Sequence, residues 1–175
     1  MNNSAILVKQ AKAGDADAFV RLIDLHRQAL YSAAVAITHS PDDAMDAVSE
    51  TILSCWEHIP TLRENRHFKT WMTRILINKC YDILCENRRY SPISVDFPAA
   101  ESDPELSMQI ESYMKFLREN DRLILTLFYF EDYSVRQISE LLGISLSAVK
   151  TRLSRSRQSF KEIYLKGEES SLKQE

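Results

Sequence analysis

The chain has 175 residues, enough for one domain or two small ones, and 45% of them are hydrophobic, as is usual for a soluble globular protein. With only three glycines and five prolines it lacks the turn residues of a β-rich fold, and no apolar stretch has the length of a membrane span. The formal net charge is −3, so the total charge does not indicate nucleic-acid binding. Only the distribution of charge along the chain can indicate it.

The first part of the chain is predicted to be helical, in segments 5–13 and 16–38. At 40–43, the sequence SPDD combines a capping serine, a proline at the first helical position and two carboxylates in the first turn, which indicates a helix start. We expect the helix that follows to bury a stripe that includes Trp56 and to expose its acids. An acidic face of this kind is usually solvated, and the alternative is a docking surface for a basic partner helix.

A segment rich in basic residues comes next. It begins with a polar loop, Arg63–His67, and continues as a predicted helix that opens with FKTW at 68–71 and runs to about Asn87. One face of this helix carries Trp71, Arg74, Asn78, Tyr81 and Asp82. Aromatic and basic groups on one exposed face can stack on unpaired bases while they hold the backbone. Alternatively, the two aromatic residues belong to the core.

The cysteines and histidines predict no metal site. Cys55, Cys80 and Cys85 form neither a disulfide framework nor a CxxC pair, and the four histidines have no ligand spacing. We expect the cysteines to be small core residues in a reduced, cytoplasmic setting. The N-terminal residues also lack the pattern of a signal peptide.

Residues 91–104, SPISVDFPAAESDP, interrupt the helical periodicity and contain three of the five prolines. We interpret this segment as a linker between an N-terminal domain, 1–90, and a C-terminal domain, 105–166, which is followed by a polar tail, 167–175. The predicted fold is therefore all-α, with two small helical domains joined by a linker.

The C-terminal domain contains a helix-turn-helix pattern. Ser134 and Gln137 have the spacing of a capping box, and Gly143 is suited to end the helix that they begin. Ser145 or Ser147 is expected to cap the second helix. That helix has an apolar stripe of Leu146, Val149 and Leu153, and it has Ser147, Lys150, Thr151, Ser154 and Arg155 on the other side.

Charge distinguishes this pattern from an ordinary helical hairpin with a solvated face. Between Lys150 and Lys166 there is a single acid, Glu162, among the basic residues Lys150, Arg152, Arg155, Arg157, Lys161 and Lys166. A solvated helix usually interleaves both signs. A run of one sign beside small polar residues instead favours contact with phosphates and base edges in a DNA groove.

Two features stand together in this chain: an acidic helix followed by a loop and the FKTW helix, and the later sequence LTLFYFEDYSVRQISELLGISLSAVKTRLSRSR. In this order, and joined by a short linker, they resemble a bacterial extracytoplasmic-function (ECF) sigma factor over about residues 10–165. The resemblance implies a transcription initiation factor that is not an enzyme, needs no cofactor and gives core RNA polymerase its choice of promoter.

The resemblance also implies where the polymerase binds. In such proteins the acidic helix docks on a coiled coil of the polymerase β′ subunit. The matching acids are Asp42, Asp43, Asp46 and Glu50. Hydrophobic residues within 123–130 would support docking on the β-flap.

Two contacts with promoter DNA are implied as well. The loop Arg63–His67 and the helix after it would meet the minus-ten element and hold its melted strand, through Arg66, Lys69, Trp71, Arg74 and Asn78. The C-terminal helix would enter the major groove of the minus-thirty-five element, with Ser147, Lys150 and Thr151 at base edges and Arg152, Arg155 and Arg157 at phosphates.

Two alternative functions make different demands on the sequence. A sigma-like mimic that sequesters an anti-sigma factor should lose the basic face of its recognition helix, which this chain keeps. A stand-alone helix-turn-helix regulator leaves the acidic helix and the FKTW helix unexplained. Members of the family are often held inactive by an anti-sigma factor, commonly membrane-bound, whereas this sequence predicts no membrane insertion of its own.

Overall fold

The structure is a computed structural model that describes residues 3–90, 110 and 112–171. Every regular element among these residues is a helix, so the predicted all-α class is confirmed. The chain divides into two compact units, Met1–Ser94 and Val95–Glu175. The linker predicted at 91–104 lies outside the described residues. None of the helices that the structure describes is long and apolar enough to cross a lipid bilayer.

Five helices form the described part of the first unit. They are α1 (Asn3–Lys12), α2 (Ala16–Asp24), α3 (Arg27–Thr38), α4 (Pro41–His58) and α5 (Phe68–Tyr90), with two 3₁₀ turns, Ile59–Thr61 and Asn65–His67, between α4 and α5. The predicted start of α4 is confirmed, because the Ser40 hydroxyl accepts a hydrogen bond from the Asp43 amide at 3.2 Å.

The predicted continuous helix over 16–38 is wrong at Leu25 and His26. The chain turns there, and the His26 backbone leaves the helical region with φ −120° and ψ 0°. The turn brings the His26 ring against the Phe68 ring, with centroids 5.9 Å apart. Tertiary packing therefore overrides a local pattern that would have allowed one long helix.

The core of the first unit lies where α3, α4 and α5 pack pairwise, with α1 packed on α2. The largest fully buried side chains in it are Val8, Leu22, Leu30, Ile37, Ile59, Phe68, Met72 and Leu76. Full burial of one such side chain stabilises the fold by about 1.5–3 kcal/mol. This packing fixes α4 beside α5, and so it fixes the two helices that carry the predicted polymerase and minus-ten residues.

Two burial predictions need correction. Trp56 is 39% exposed rather than buried in the α4 core, and its ring packs against Phe19 at a centroid distance of 5.0 Å. Cys55 and Cys80 are buried as predicted, and burial raises the pKa of the Cys55 thiol to about 12. Cys85 is exposed, because it lies on the face of α5 that also carries the exposed Asn78.

The described part of the second unit holds three main helices. They are α6 (Glu119–Leu125), α7 (Val135–Leu142) and α8 (Leu146–Ser171), and a π-helical turn, Thr126–Phe130, follows α6. α6 and α8 pack together, and the Ser156 hydroxyl donates to Asp121 Oδ1 at 2.7 Å. α8 extends beyond Lys166 into the segment that the sequence predicts to be a polar tail.

The caps of the helix-turn-helix are confirmed. The Ser134 hydroxyl accepts from the Gln137 amide, and the Gln137 side chain accepts in return from the Ser134 amide, which completes the capping box. Gly143 ends α7 in the left-handed conformation, with φ +63°. Ser145 caps α8 by accepting from the Ala148 amide at 3.2 Å.

The predicted apolar stripe of α8 is correct at two of its three positions. Val149 and Leu153 are buried, but Leu146 is 48% exposed. Leu146 is the first residue of the helix, so its side chain projects at the end of the element rather than between α8 and its neighbours.

Candidate polymerase and promoter interfaces

The face of α4 that points to solvent carries the four acids predicted to bind polymerase. Asp42, Asp46 and Glu50 are exposed, and Asp43 is half-buried. Asp42 and Asp43 lie in the first turn, where the helix dipole favours negative charge. Within the described part of the chain, Asp42 and Asp46 make no ion pair. They therefore present uncompensated negative charge.

The other two acids are engaged by α5, which the sequence reading did not predict. Lys79 Nζ lies 3.1 Å from Glu50 Oε2. Asn87 Nδ2 donates to both carboxylate oxygens of Asp43, at 3.2 and 3.1 Å. The partners of each pair are far apart in sequence, so no local periodicity could have revealed them. A partner that takes up Glu50 has to displace Lys79.

Apolar side chains flank the acids on α4. Met45 and Leu53 are 58% and 65% exposed, and Trp56 is also exposed on the same side of the helix. A purely solvated acidic face gives no reason for three large apolar groups at helical spacing. Their exposure beside unpaired carboxylates favours the docking interpretation of this face over the solvated one.

The polar loop predicted to meet the minus-ten element is anchored at both ends. Leu62 and Phe68 are buried on either side of it. Within the loop, the His67 amide donates to the Glu64 carbonyl at 3.0 Å, and Arg66 Nε pairs with Glu64 Oε2 at 2.6 Å. The Arg66 side chain is 74% exposed, so this pair is readily replaced by a phosphate.

The α5 face next to this loop is accessible at most of its predicted positions. Arg74 and Asn78 are exposed, and Lys69 and Trp71 are half-buried. The Trp71 ring lies 5.9 Å from the Phe68 ring, measured between centroids. Trp71 thus combines a core contact with partial exposure, so its ring is only partly committed to the core.

A neutral imidazole lies beneath this face. Burial, and secondly the positive charge of Lys69, lower the pKa of His26. The ring therefore stays neutral at physiological pH, and it adds no positive charge to the predicted DNA surface.

The predicted recognition face of α8 is open to solvent. Ser147, Lys150, Thr151, Arg152, Arg155 and Arg157 are all exposed. No acid among the described residues forms an ion pair with Lys150, Arg152 or Arg155. Their charges are therefore available to phosphates, and the small Ser147 and Thr151 leave space for close approach to base edges.

Arg157 differs from the other basic residues of α8. Its guanidinium carbon lies 5.5 Å from the centroid of the Phe128 ring and 5.5 Å from that of the Tyr129 ring. Tyr129 and Phe130 are themselves 54% and 55% exposed at the end of the π-helical turn. The sequence reading missed this cation–π contact, because the aromatic residues precede Arg157 by two helices.

Two family models match the chain in succession. Residues 22–90 match the family described as Sigma-70 region 2, and residues 107–160 match the family described as Sigma-70, region 4. The ECF RNA polymerase sigma factor SigW of Bacillus subtilis is 27% identical over 173 residues, which cover 88% of this chain and 92% of SigW. The ECF sigma factor SigM of Mycobacterium tuberculosis is 25% identical, over 89% of this chain and 81% of SigM.

Solved structures share the fold. CnrH, solved in complex with the cytosolic domain of CnrY, has a TM-score of 0.69 at 24% identity and covers 93% of this chain and 97% of its own. RpoE of Bartonella quintana, solved with the anti-sigma factor NepR, has a TM-score of 0.72 at 21% identity and covers 83% and 95%. Because it contains both sigma-70 regions and matches its relatives over most of their length, the chain belongs to the ECF sigma factors, which bind core RNA polymerase and direct promoter-specific transcription initiation.

Proposed function

We propose that this ECF sigma factor divides its work among three surfaces, each defined by the residues described above. The observation that carries the proposal is the separation of uncompensated charge. α4 presents unpaired carboxylates, and α8 presents unpaired cations. A basic protein partner and a polyanion therefore have distinct binding surfaces on this chain.

The polymerase surface is centred on Asp42 and Asp46, with Asp43 and Glu50 as acids that have to exchange their α5 partners on binding. The exposed apolar side chains of α4 add apolar surface that the partner can bury, beside the charged contacts. A second contact, with the β-flap, is made by Tyr129 and Phe130. These two are chosen within 123–130 because Leu123, Ile124, Leu125 and Leu127 are buried.

The minus-ten surface consists of the loop Arg63–His67 and the adjoining face of α5. Arg66, Lys69 and Arg74 hold the backbone of the melted strand, Trp71 offers a ring for stacking, and Asn78 bonds to a base or sugar. The buried anchors at Leu62 and Phe68 support this role, because a loop that receives an unstacked base needs fixed ends.

The minus-thirty-five surface is the open face of α8. Ser147, Lys150 and Thr151 meet base edges, and Arg152 and Arg155 meet phosphates. We retain Arg157 as a phosphate ligand only in second place, since it already contacts two aromatic rings.

The chain acts as an initiation factor and performs no catalysis of its own, and we place it in the cytoplasm, where polymerase and chromosomal DNA are found. An anti-sigma factor is the proposed restraining partner. The support for this partner is the similarity in fold to RpoE, which was solved with the anti-sigma factor NepR.

Two paired substitutions test the separation of surfaces. Asp46→Arg with Glu50→Arg places positive charges against the basic surface of the partner. Contacts between like charges cost several kcal/mol, so the affinity for core polymerase should fall by about 100-fold. Lys150→Ala with Arg155→Ala should abolish promoter-specific transcription and leave polymerase affinity unchanged. Normal transcription by the second variant, or normal polymerase affinity of the first, would refute the corresponding surface.

A further inference from the structure

One side chain ties the N-terminal helix to the start of the minus-ten loop. Lys12 Nζ donates to the Leu62 carbonyl at 2.6 Å, across 50 positions of sequence. Leu62 is the residue immediately before the loop Arg63–His67. α1 also packs against both 3₁₀ turns, Ile59–Thr61 and Asn65–His67.

Lys12 is itself held in a fixed position. It is the last residue of α1, where the helix dipole favours a cation. α1 is anchored by the buried Leu7, Val8 and Ala11. After α1 the chain reverses at Gly14, with φ +94°, and Asp15 then caps α2. The ammonium group is therefore presented from a rigid support rather than from a free surface lysine.

Leu62 is constrained at three points. Its side chain is buried, its amide donates to the Ile59 carbonyl at 3.1 Å, and its carbonyl accepts from Lys12. The residues on either side, Thr61 and Arg63, are exposed, so a water molecule could hydrogen-bond to the Leu62 carbonyl in place of Lys12. The carbonyl instead accepts a short, charge-assisted hydrogen bond from Lys12. This bond fixes the orientation of the Leu62 peptide group, and so the direction in which the loop leaves the core.

We propose that Lys12 is a positioning residue for promoter melting, which sets the geometry of the loop Arg63–His67 through the Leu62 carbonyl. The proposal rests on the proposed minus-ten role of that loop. It extends the functional machinery to α1, which precedes the matched residues 22–90. A loop that receives a flipped base selects it by shape and hydrogen bonds, and a small displacement weakens that selection.

The test measures base selectivity, not activity alone. Holoenzyme made with the full chain is bound to promoter fragments whose minus-ten segment is already unpaired, with each of the four bases placed in turn at each position. We expect Lys12→Met, which keeps the aliphatic stem and removes the donor, to lower the ratio of best to worst base by about three- to tenfold, the scale of one ordinary hydrogen bond in a folded protein. Affinity for core polymerase should stay at the wild-type value.

Lys9→Met is the matched control, because Lys9 is exposed on the same helix and its loss changes the net charge equally. Lys12→Arg keeps a charged donor and should restore part of the selectivity. Unchanged selectivity in Lys12→Met would overturn the proposal. A parallel loss of selectivity and polymerase affinity would overturn it too, since it would show general destabilisation.

A loop substitution separates this proposal from the one on which it rests. If Arg66→Ala weakens binding to the unpaired fragments and Lys12→Met leaves base selectivity unchanged, the loop contacts the promoter without help from α1, and only the present inference fails. If neither variant has an effect, the minus-ten role of the loop itself is refuted.

Discussion

Replacing Lys79 by methionine should tighten the binding of this protein to core polymerase. In the free protein, Lys79 Nζ lies 3.1 Å from Glu50 Oε2. A basic group of the polymerase that binds Glu50 has to displace Lys79, so part of its interaction energy is spent on breaking the existing pair. Lys79→Met removes that competitor and keeps most of the side-chain volume on α5.

The size of the effect follows from the exposure of the pair. The Lys79 and Glu50 side chains are 33% and 51% exposed. Ion pairs in such settings are worth about 0.2–1 kcal/mol. The dissociation constant should therefore fall by between about 1.4-fold and about fivefold at 25 °C. The gain should shrink as salt is raised, because screening weakens the competing pair.

Fluorescence anisotropy of labelled sigma factor titrated with core polymerase measures this change. Lys9→Met controls for the loss of one positive charge elsewhere. In a Glu50→Gln background, Lys79→Met should bring no gain, because the competition no longer exists. Weaker binding by Lys79→Met alone would refute the reasoning, since Lys79 would then itself contact the polymerase.

Two further predictions concern the second unit. Arg155→Met should lower the slope of log affinity against log salt, for holoenzyme on its promoter, by about 0.9. Arg157→Met should lower the slope by less, because Arg157 lies against Phe128 and Tyr129. Equal slopes for the two variants would contradict this. Gly167→Ala should destabilise the protein by about 1 kcal/mol in urea unfolding, since the new Cβ would overlap the Tyr113 ring, and moving that ring aside costs its packing on Tyr164 at a centroid distance of 5.3 Å. In a Tyr113→Ala background the same change should stabilise by up to about 1 kcal/mol, and destabilisation there would disprove the clash.

Local chemistry was predictable from the sequence, and long-range pairing was not. The caps at Ser40 and Ser134 and the left-handed Gly143 depend on residues within one turn, and the structure confirms each of them. The break at His26 and the exposure of Trp56 depend on where Phe68 and Phe19 lie, which no local pattern contains.

The candidate sites show the same contrast. Charge and periodicity identified which face of α4 and of α8 would be exposed, because both follow from helical spacing. The long-range hydrogen bonds at the candidate sites could not be predicted. Asn87 on Asp43 and Lys12 on Leu62 join residues 44 and 50 positions apart.

In vitro transcription tests the central claim most directly. The purified chain is mixed with core RNA polymerase and a pool of genomic promoter fragments, and the 5′ ends of the transcripts are mapped. We predict a limited set of start sites, preceded by a shared pair of minus-ten and minus-thirty-five elements and absent with core polymerase alone. A chain that fails to join the polymerase, or joins it and starts no RNA at defined sites, would contradict the account.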